Sequence, residues 1–278
     1  MPMTHVVLLA LVGFVGGTFG AMVGLGGGVF IIPTLALFLD VPIHSAIAAS
    51  LLAVIATSTT AAAAYVRDDL TNLRLGMTLE TTTVTGAVIG GLVGTALSKT
   101  VLSAVFGGVM IAVSVYMAVR QRNAKLPPVT DEDLGLLGAS YHDRSLGETV
   151  RYRVRRLPAG MAASFVAGNV SGLLGVGGGF LKVPVMVLAM SIPVRAAVST
   201  SSFMIGVTAC AGALVYFARG LVDPVITVPV VLGVTLGAYL GSKLAMRVKS
   251  SVLTIILAIV LFAFSVQMIL SAAGIDLR

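Results

Sequence analysis

The sequence contains no tryptophan and a single cysteine, Cys210. One thiol excludes an intramolecular disulfide and any cysteine-ligated metal cluster. It lies in an apolar run, where a small buried thiol is expected. Three histidines, His5, His44 and His142, are too few and too scattered for a histidine-rich metal site. Neither a metal nor another cofactor is therefore expected. Charge is scarce as well, with 10% Asp, Glu, Lys and Arg against about 25% in a soluble domain. Together with 57% apolar residues and a mean hydropathy of +1.05, this identifies an integral membrane protein. The N-terminal Met1-Pro2-Met3-Thr4-His5 lacks a positive stretch, so no cleaved signal peptide is expected.

What charge exists is unevenly spread. Of 29 charged residues, 13 fall between Arg120 and Arg156. A net charge of +7 would suggest nucleic acid as partner of a soluble protein. In a membrane protein it marks cytoplasmic loops instead, and no nucleic acid is expected. Apolar segments fall at about 4–20, 29–40, 43–65, 74–97 and 100–119, and again at about 158–174, 179–190, 194–217, 224–246 and 250–271. About 20 helical residues cross a hydrocarbon core. The stretches at 29–40 and 179–190 have only twelve and are expected to be half-helices. The loop Gln121–Leu157 holds Pro127-Pro128, the acidic run Asp131-Glu132-Asp133 and the alternation Val150-Arg151-Tyr152-Arg153-Val154-Arg155-Arg156. That alternation fits a short strand, a segment gripping anionic lipid headgroups, or a plain topology signal.

Both half-helices begin at a glycine cluster: Gly24-Leu25-Gly26-Gly27-Gly28 running to Pro33, and Gly175-Val176-Gly177-Gly178-Gly179 running to Pro184. Each interior glycine costs a helix about 1 kcal/mol relative to alanine. A helix broken at these points, with bare amides lining a cavity, is the expected result, because irregular backbone survives at membrane depth only where protein or water satisfies it. An offset of 151 residues superimposes the two clusters and also aligns Pro42 with Pro193, Ser50 with Ser201, Thr57 with Thr208, Gly86 with Gly237 and Gly90 with Gly241. Duplication with interruptions at matching places is a signature of secondary transporters. The chain divides into a first transmembrane repeat (1–120), a cytoplasmic loop (121–157) and a second repeat (158–278).

If each break interrupts one crossing, the halves have four crossings and are parallel. If it separates two passes, they have five and are inverted, and Lys and Arg then split 14 inside to 3 outside. The parallel arrangement gives 12 to 5, with Lys182 left in the membrane. Positive charge favours the cytoplasm, so the expected fold is an all-α polytopic membrane protein of two inverted repeats whose glycine-broken helices meet near the membrane midplane.

The paired G-L-G-G-G-x4-P and G-V-G-G-G-x4-P motifs, each followed by a proline and a Ser/Thr-bearing helix, resemble the sulfite exporter TauE/SafE family of bacterial membrane permeases over nearly the whole chain. That resemblance implies transport of small sulfur-containing anions such as sulfite, thiosulfate or organosulfonates across the cell (inner) membrane.

Such an anion needs hydrogen-bond donors and positive potential. Exposed amides at a glycine turn opening into a helix N-terminus supply both. The candidate donors are the amides of Gly26, Gly27 and Gly28 and of Gly177, Gly178 and Gly179. Gly27 and Gly178, at the centres, are expected to face one anion from opposite halves, where a side chain would fill the ligand's space. The alternative is that the glycines only let helices approach closely, which is the expected role of Gly86 with Gly90 and of Gly237 with Gly241. Ser50 with Thr57, and Ser201 with Thr208, lie two turns apart on one helix face and could donate to the anion or bond the carbonyl one turn back. Lys182 is a basic residue inside an apolar segment, available to an anion or able to snorkel to an interface. Its counterpart is Ile31. Glu80 fits a proton-coupling carboxylate or an ordinary acid near a helix start. His44 and Arg195, in matching positions near helix starts where a cation opposes the dipole, fit interfacial topology charges or a means of attracting anions. The expected function is a secondary anion transporter working by alternating access. A passive anion channel is the first alternative, and an integral membrane enzyme, for which no catalytic constellation is visible, the second. An oligomer is possible but not indicated.

Overall fold

The computed structural model describes residues 3–23, 26–67, 69–119, 134–143, 148–245 and 262–273. The first half comprises α1 (Met3–Val23), α2 (Gly28–Phe38), α3 (Ile43–Arg67), α4 (Leu73–Ala96) and α5 (Lys99–Val119). Two strands follow, β1 (Ala139–Asp143) and β2 (Glu148–Tyr152). The second half comprises α6 (Leu157–Leu174), α7 (Gly179–Leu188), α8 (Val194–Ala218), α9 (Pro224–Ala245) and α10 (Phe262–Ala272). The first nine apolar segments become helices close to their expected ends. The tenth, expected over 250–271, is described only from Phe262 onward. Five helices (α1, α3, α6, α8 and α9) are long and apolar enough to cross a membrane. The protein is an all-α polytopic membrane protein, and α2 and α7, with 11 and 10 residues, are too short to cross alone.

The breaks reverse the chain. Gly26 and Gly27 have φ of 80° and 79°, and Gly177 and Gly178 have φ of 84° and 70°, a left-handed turn that only glycine adopts freely. A Cβ on Gly27 would lie 2.6 Å from the Gly16 carbonyl oxygen. In a continuous helix those residues would be about 16 Å apart, so α2 folds back along α1. The second break repeats this, with Gly178 against the Ala167 carbonyl.

The halves interlock. α1 packs on α9, and its counterpart α6 packs on α4, the counterpart of α9. Glycines make these seams close. Any Cβ on Gly86 or Gly90 would strike the Phe165 or Asn169 carbonyl, and any on Gly237 or Gly241 the Phe14 or Thr18 carbonyl. The spaced glycines therefore serve helix packing, as expected. Leu214 and Phe217 on α8, and Leu232 and Leu236 on α9, are among the large apolar side chains left on the outside, the surface a bilayer covers. Cys210 lies on that outer face of α8 with Val207 and Leu214, and is exposed. The expectation of a buried thiol was wrong, because helical spacing turns position 210 away from the inward Ser201, Met204, Ile205 and Thr208.

The described part of the central loop forms a β-hairpin, with Tyr141 opposite Val150. Strand is thus the conformation at the start of the 150–156 alternation. The hairpin docks on one end of the bundle. Asn72 caps α4 by accepting from the Leu75 amide, and its Nδ2 donates to the Leu137 carbonyl at 2.8 Å and to the Tyr152 hydroxyl at 3.2 Å. The Arg155 amide donates to the Met190 carbonyl in the α7–α8 turn. Tyr141 and Tyr152 are buried with Leu75, Leu79, Met186 and Met190, and burial pushes the Tyr152 phenol above its ordinary pKa. The α2–α3 turn lies at the far end of α4, where His44 Nε2 is 3.1 Å from the Leu97 carbonyl.

Candidate functional site

The two glycine breaks touch. A Cβ on Gly28 would strike the Gly175 carbonyl oxygen, and Ser50 Oγ donates to that same oxygen at 2.9 Å. Hydrogen bonding in α2 begins with the Phe30 and Ile31 amides on the Gly27 carbonyl, and in α7 with the Leu181 and Lys182 amides on the Gly178 carbonyl. The amides before them belong to the first turn, which has no carbonyl within its own helix to bond. Both breaks thus present helix N-termini, and the positive ends of their dipoles, in the interior of the molecule.

Beside the first break lies a small cavity lined by Gly20, Gly26, Thr57 and Ser58 from the first half, and Ser202 and Ile205 from α8. Its volume is about 10 Å³, room for roughly one water. That space is too small for a sulfur oxyanion. The hydroxyls around it already donate within their own helices, Thr57 to Ala53, Ser58 to Ile55 and Ser202 to Val198.

At the second break the corresponding place carries charge. Lys182 projects from the first turn of α7, is 2% exposed, and does not snorkel. Its Nζ donates to Thr208 Oγ1 at 2.8 Å and lies 3.5 Å from Glu80 Oε2. Thr208 Oγ1 lies 2.6 Å from Glu80 Oε1 and 2.9 Å from the Met204 carbonyl, and its one proton serves either acceptor. Among the described residues Glu80 Oε2 has no hydrogen-bond partner. It has only the long ion pair. A lone lysine at bilayer depth costs about 2.5–3.5 kcal/mol on insertion scales, and a cation in the first turn of a helix also opposes the dipole. Glu80 offsets both. The 151-residue offset matches Lys182, Thr208 and Glu80 with Ile31, Thr57 and Val231, a set with no charge.

The sulfite exporter TauE/SafE family model matches residues 9–268. The chain belongs to the sulfite exporter TauE/SafE family. Among curated proteins it is similar to the probable membrane transporter protein YunE of Bacillus subtilis, 31% identical over 234 residues covering 82% of this chain and 84% of the relative. The probable membrane transporter protein YdhB of the same organism is 25% identical over 227 residues, with 81% and 84% covered. No solved structure matches. The chain is a multi-pass membrane protein of a transporter family.

Within this TauE/SafE chain the structure sorts the residues expected at the site. Gly26, Gly28, Ser50 and Thr57 gather where the first break meets the second half, and Lys182 with Thr208 gathers at the second. Ser50 and Ser201 separate. The Ser50 proton is committed to Gly175, whereas buried Ser201 Oγ has no partner among the described residues. The space beside Gly27 and Gly178 is not ligand space, because their missing side chains would meet the backbone of α1 and α6. Of the alternatives for Glu80, the ordinary first-turn acid does not describe a buried carboxylate facing Lys182. Its pairing was missed in the sequence, although two opposite charges at bilayer depth, each facing an apolar counterpart in the other repeat, were the available signal.

Proposed function

We propose that the protein is a secondary transporter of small sulfur-containing anions, such as sulfite, thiosulfate or a small organosulfonate, working by alternating access in the cell (inner) membrane. The observation that carries this reading is the contact between the two glycine breaks, Gly28 against Gly175, beside a cavity too small for the anion. Helix N-termini from both repeats meet there, and entry of the anion requires helices to move. The sulfite exporter family supports the substrate class. The expected anion contacts are the amides of Gly26, Gly28, Gly177 and Gly179 and the hydroxyl of Ser201, with Lys182 as the positive charge. The test is uptake into vesicles with labelled sulfite and with thiosulfate and a small sulfonate as competitors. Saturation with counterflow is the expected result. Unsaturable, voltage-driven current would make the protein a channel.

The repeats are proposed to be inverted. Support comes from the docked hairpin, which gathers the α3–α4 turn of the first half and the α7–α8 turn of the second at one end. Parallel repeats would place the α2–α3 and α7–α8 turns at the same end. Positive charge makes the hairpin end cytoplasmic. In a Cys210→Ala background, a cysteine replacing Lys249 is expected to resist impermeant reagent added outside the cell, and labelling there would defeat this topology.

A further inference from the structure

We propose that Glu80 is a built-in surrogate for the transported anion, and that a proton on its carboxylate is what exchanges it for substrate on Lys182. The inference rests on the anion-transport reading above and adds the coupling ion to it. Three observations lead here. Lys182 Nζ sits in the first turn of α7, beside the second glycine break, and is wholly buried. Its counter-charge, Glu80, comes from the other repeat, on α4, which packs against α6 and α8 of the repeat that carries Lys182. The pair is also incompletely made, with Glu80 Oε2 at 3.5 Å from Nζ and without a hydrogen bond among the described residues.

The charge balance sets the logic. With Glu80 ionised and Lys182 protonated, the empty site is neutral. A monoanion arriving beside Lys182 would add a net negative charge inside the membrane, next to a carboxylate that already occupies the cation. If one proton from the water on the entry side binds Glu80 as the anion binds Lys182, the loaded site is again neutral. Both the empty and the loaded forms can then reorient without carrying net charge through the hydrocarbon, where unpaired charge is strongly disfavoured. The anion alone and the proton alone each leave an unbalanced site. One proton therefore accompanies one monoanion. Thr208 serves both states, since its hydroxyl accepts from Lys182 and can donate to Glu80 or turn to the Met204 carbonyl.

Few other groups could provide this proton site. The helices packed against α4 are α6 and α8. α6 has no titratable side chain. The titratable groups of α8 are Arg195, Cys210 and Tyr216; Arg195 lies at the helix start, Cys210 on the outer face, and the Tyr216 hydroxyl lies against Gly94, several turns from Glu80. α7 contributes Lys182 alone. The hairpin's Tyr141 and Tyr152 sit over the start of α4, with Tyr152 on Asn72, two turns before Glu80. On α4 itself, Arg74 is exposed near that start.

The test measures binding of two small sulfonates, which stay monoanions across the range, to detergent-purified protein in a pH series, with a pH-indicator dye recording protons taken up in weakly buffered solution. The wild type is expected to take up about one proton per monoanion bound, with apparent Kd rising about tenfold per pH unit once Glu80 is ionised. Glu80→Gln is expected to bind the anion with no proton uptake and a flat pH profile. In proteoliposomes that variant is expected to keep anion exchange and lose accumulation driven by a proton gradient. Wild-type binding without proton uptake overturns the inference without needing any variant. So does a Glu80→Gln protein that keeps the wild-type pH slope, the result expected of a purely structural ion pair. If the wild type binds none of these anions, the transport reading falls first and this inference with it.

Discussion

The two halves of the molecule share a backbone and differ in chemistry. Both break at glycines with the same left-handed geometry, and each lends its first helix to the other half through a glycine seam. Both also cap the helix after the long span with an aligned polar residue. Asn72 accepts from the Leu75 amide and Asp223 from the Val225 amide. Against that regularity, one break has Ile31, Thr57 and Val231 around it where the other has Lys182, Thr208 and Glu80. The comparison teaches that the duplicated features keep the scaffold, while the buried charge lies only where the duplication is no longer shared.

The largest effect should come from attacking the shared backbone. Gly27→Val meets the Gly16 carbonyl at 2.6 Å in a left-handed turn, and Gly178→Val meets the Ala167 carbonyl at 2.8 Å. Both are expected to abolish most folded protein, read by size-exclusion profile and thermal melt in detergent. A well-folded Gly27→Val that merely loses ligand would show instead that the turn has room and that the space beside it is ligand space.

Next is the charged asymmetry. Lys182→Met strands the buried Glu80, and breaking a buried pair costs about 3–5 kcal/mol. Adding Glu80→Gln is expected to restore most of the lost thermal stability. The equivalent first-half change, Ile31→Val, removes one methylene from a buried site and should cost only about 0.5–1.5 kcal/mol. Equal losses from Lys182→Met and Ile31→Val would make the ion pair energetically irrelevant.

Smaller still is the serine comparison. Ser50→Ala leaves the Gly175 carbonyl without its hydroxyl donor, and about 1–2 kcal/mol of stability should go with it. Ser201→Ala removes a hydroxyl that has no partner among the described residues. It should leave the melt unchanged and weaken anion binding roughly five- to tenfold, the value of about one neutral hydrogen bond. The reverse pattern, with Ser201→Ala destabilising and Ser50→Ala weakening affinity, would exchange their roles. The smallest change is expected from Tyr152→Phe. It removes one acceptor from Asn72 and should lower the melting temperature slightly, with the Leu137 contact still holding the hairpin.

The chain's own letters determined a good deal. Hydropathy and length defined the spans, because each must cover a fixed hydrocarbon thickness. Consecutive glycines defined the breaks, since no helix tolerates them cheaply at that density. The offset of 151 residues exposed the duplication without any coordinates. Glycines four apart announced close helix contacts, and the α1–α9 and α4–α6 seams supplied them. These are all local properties or properties of a repeating pattern.

Tertiary structure decided the rest, because it depends on which surfaces meet. Only folding brings Glu80 to Lys182, which lies 102 positions further along the chain, or commits the Ser50 proton to a carbonyl 125 residues away while leaving Ser201 without one. Only folding turns Cys210 outward and fills the space beside Gly27 with α1 backbone. A hydroxyl on a helix face and a charge in a span are legible as residues. What each one bonds is set by the neighbouring helix, and a pattern along one chain segment does not contain its neighbour.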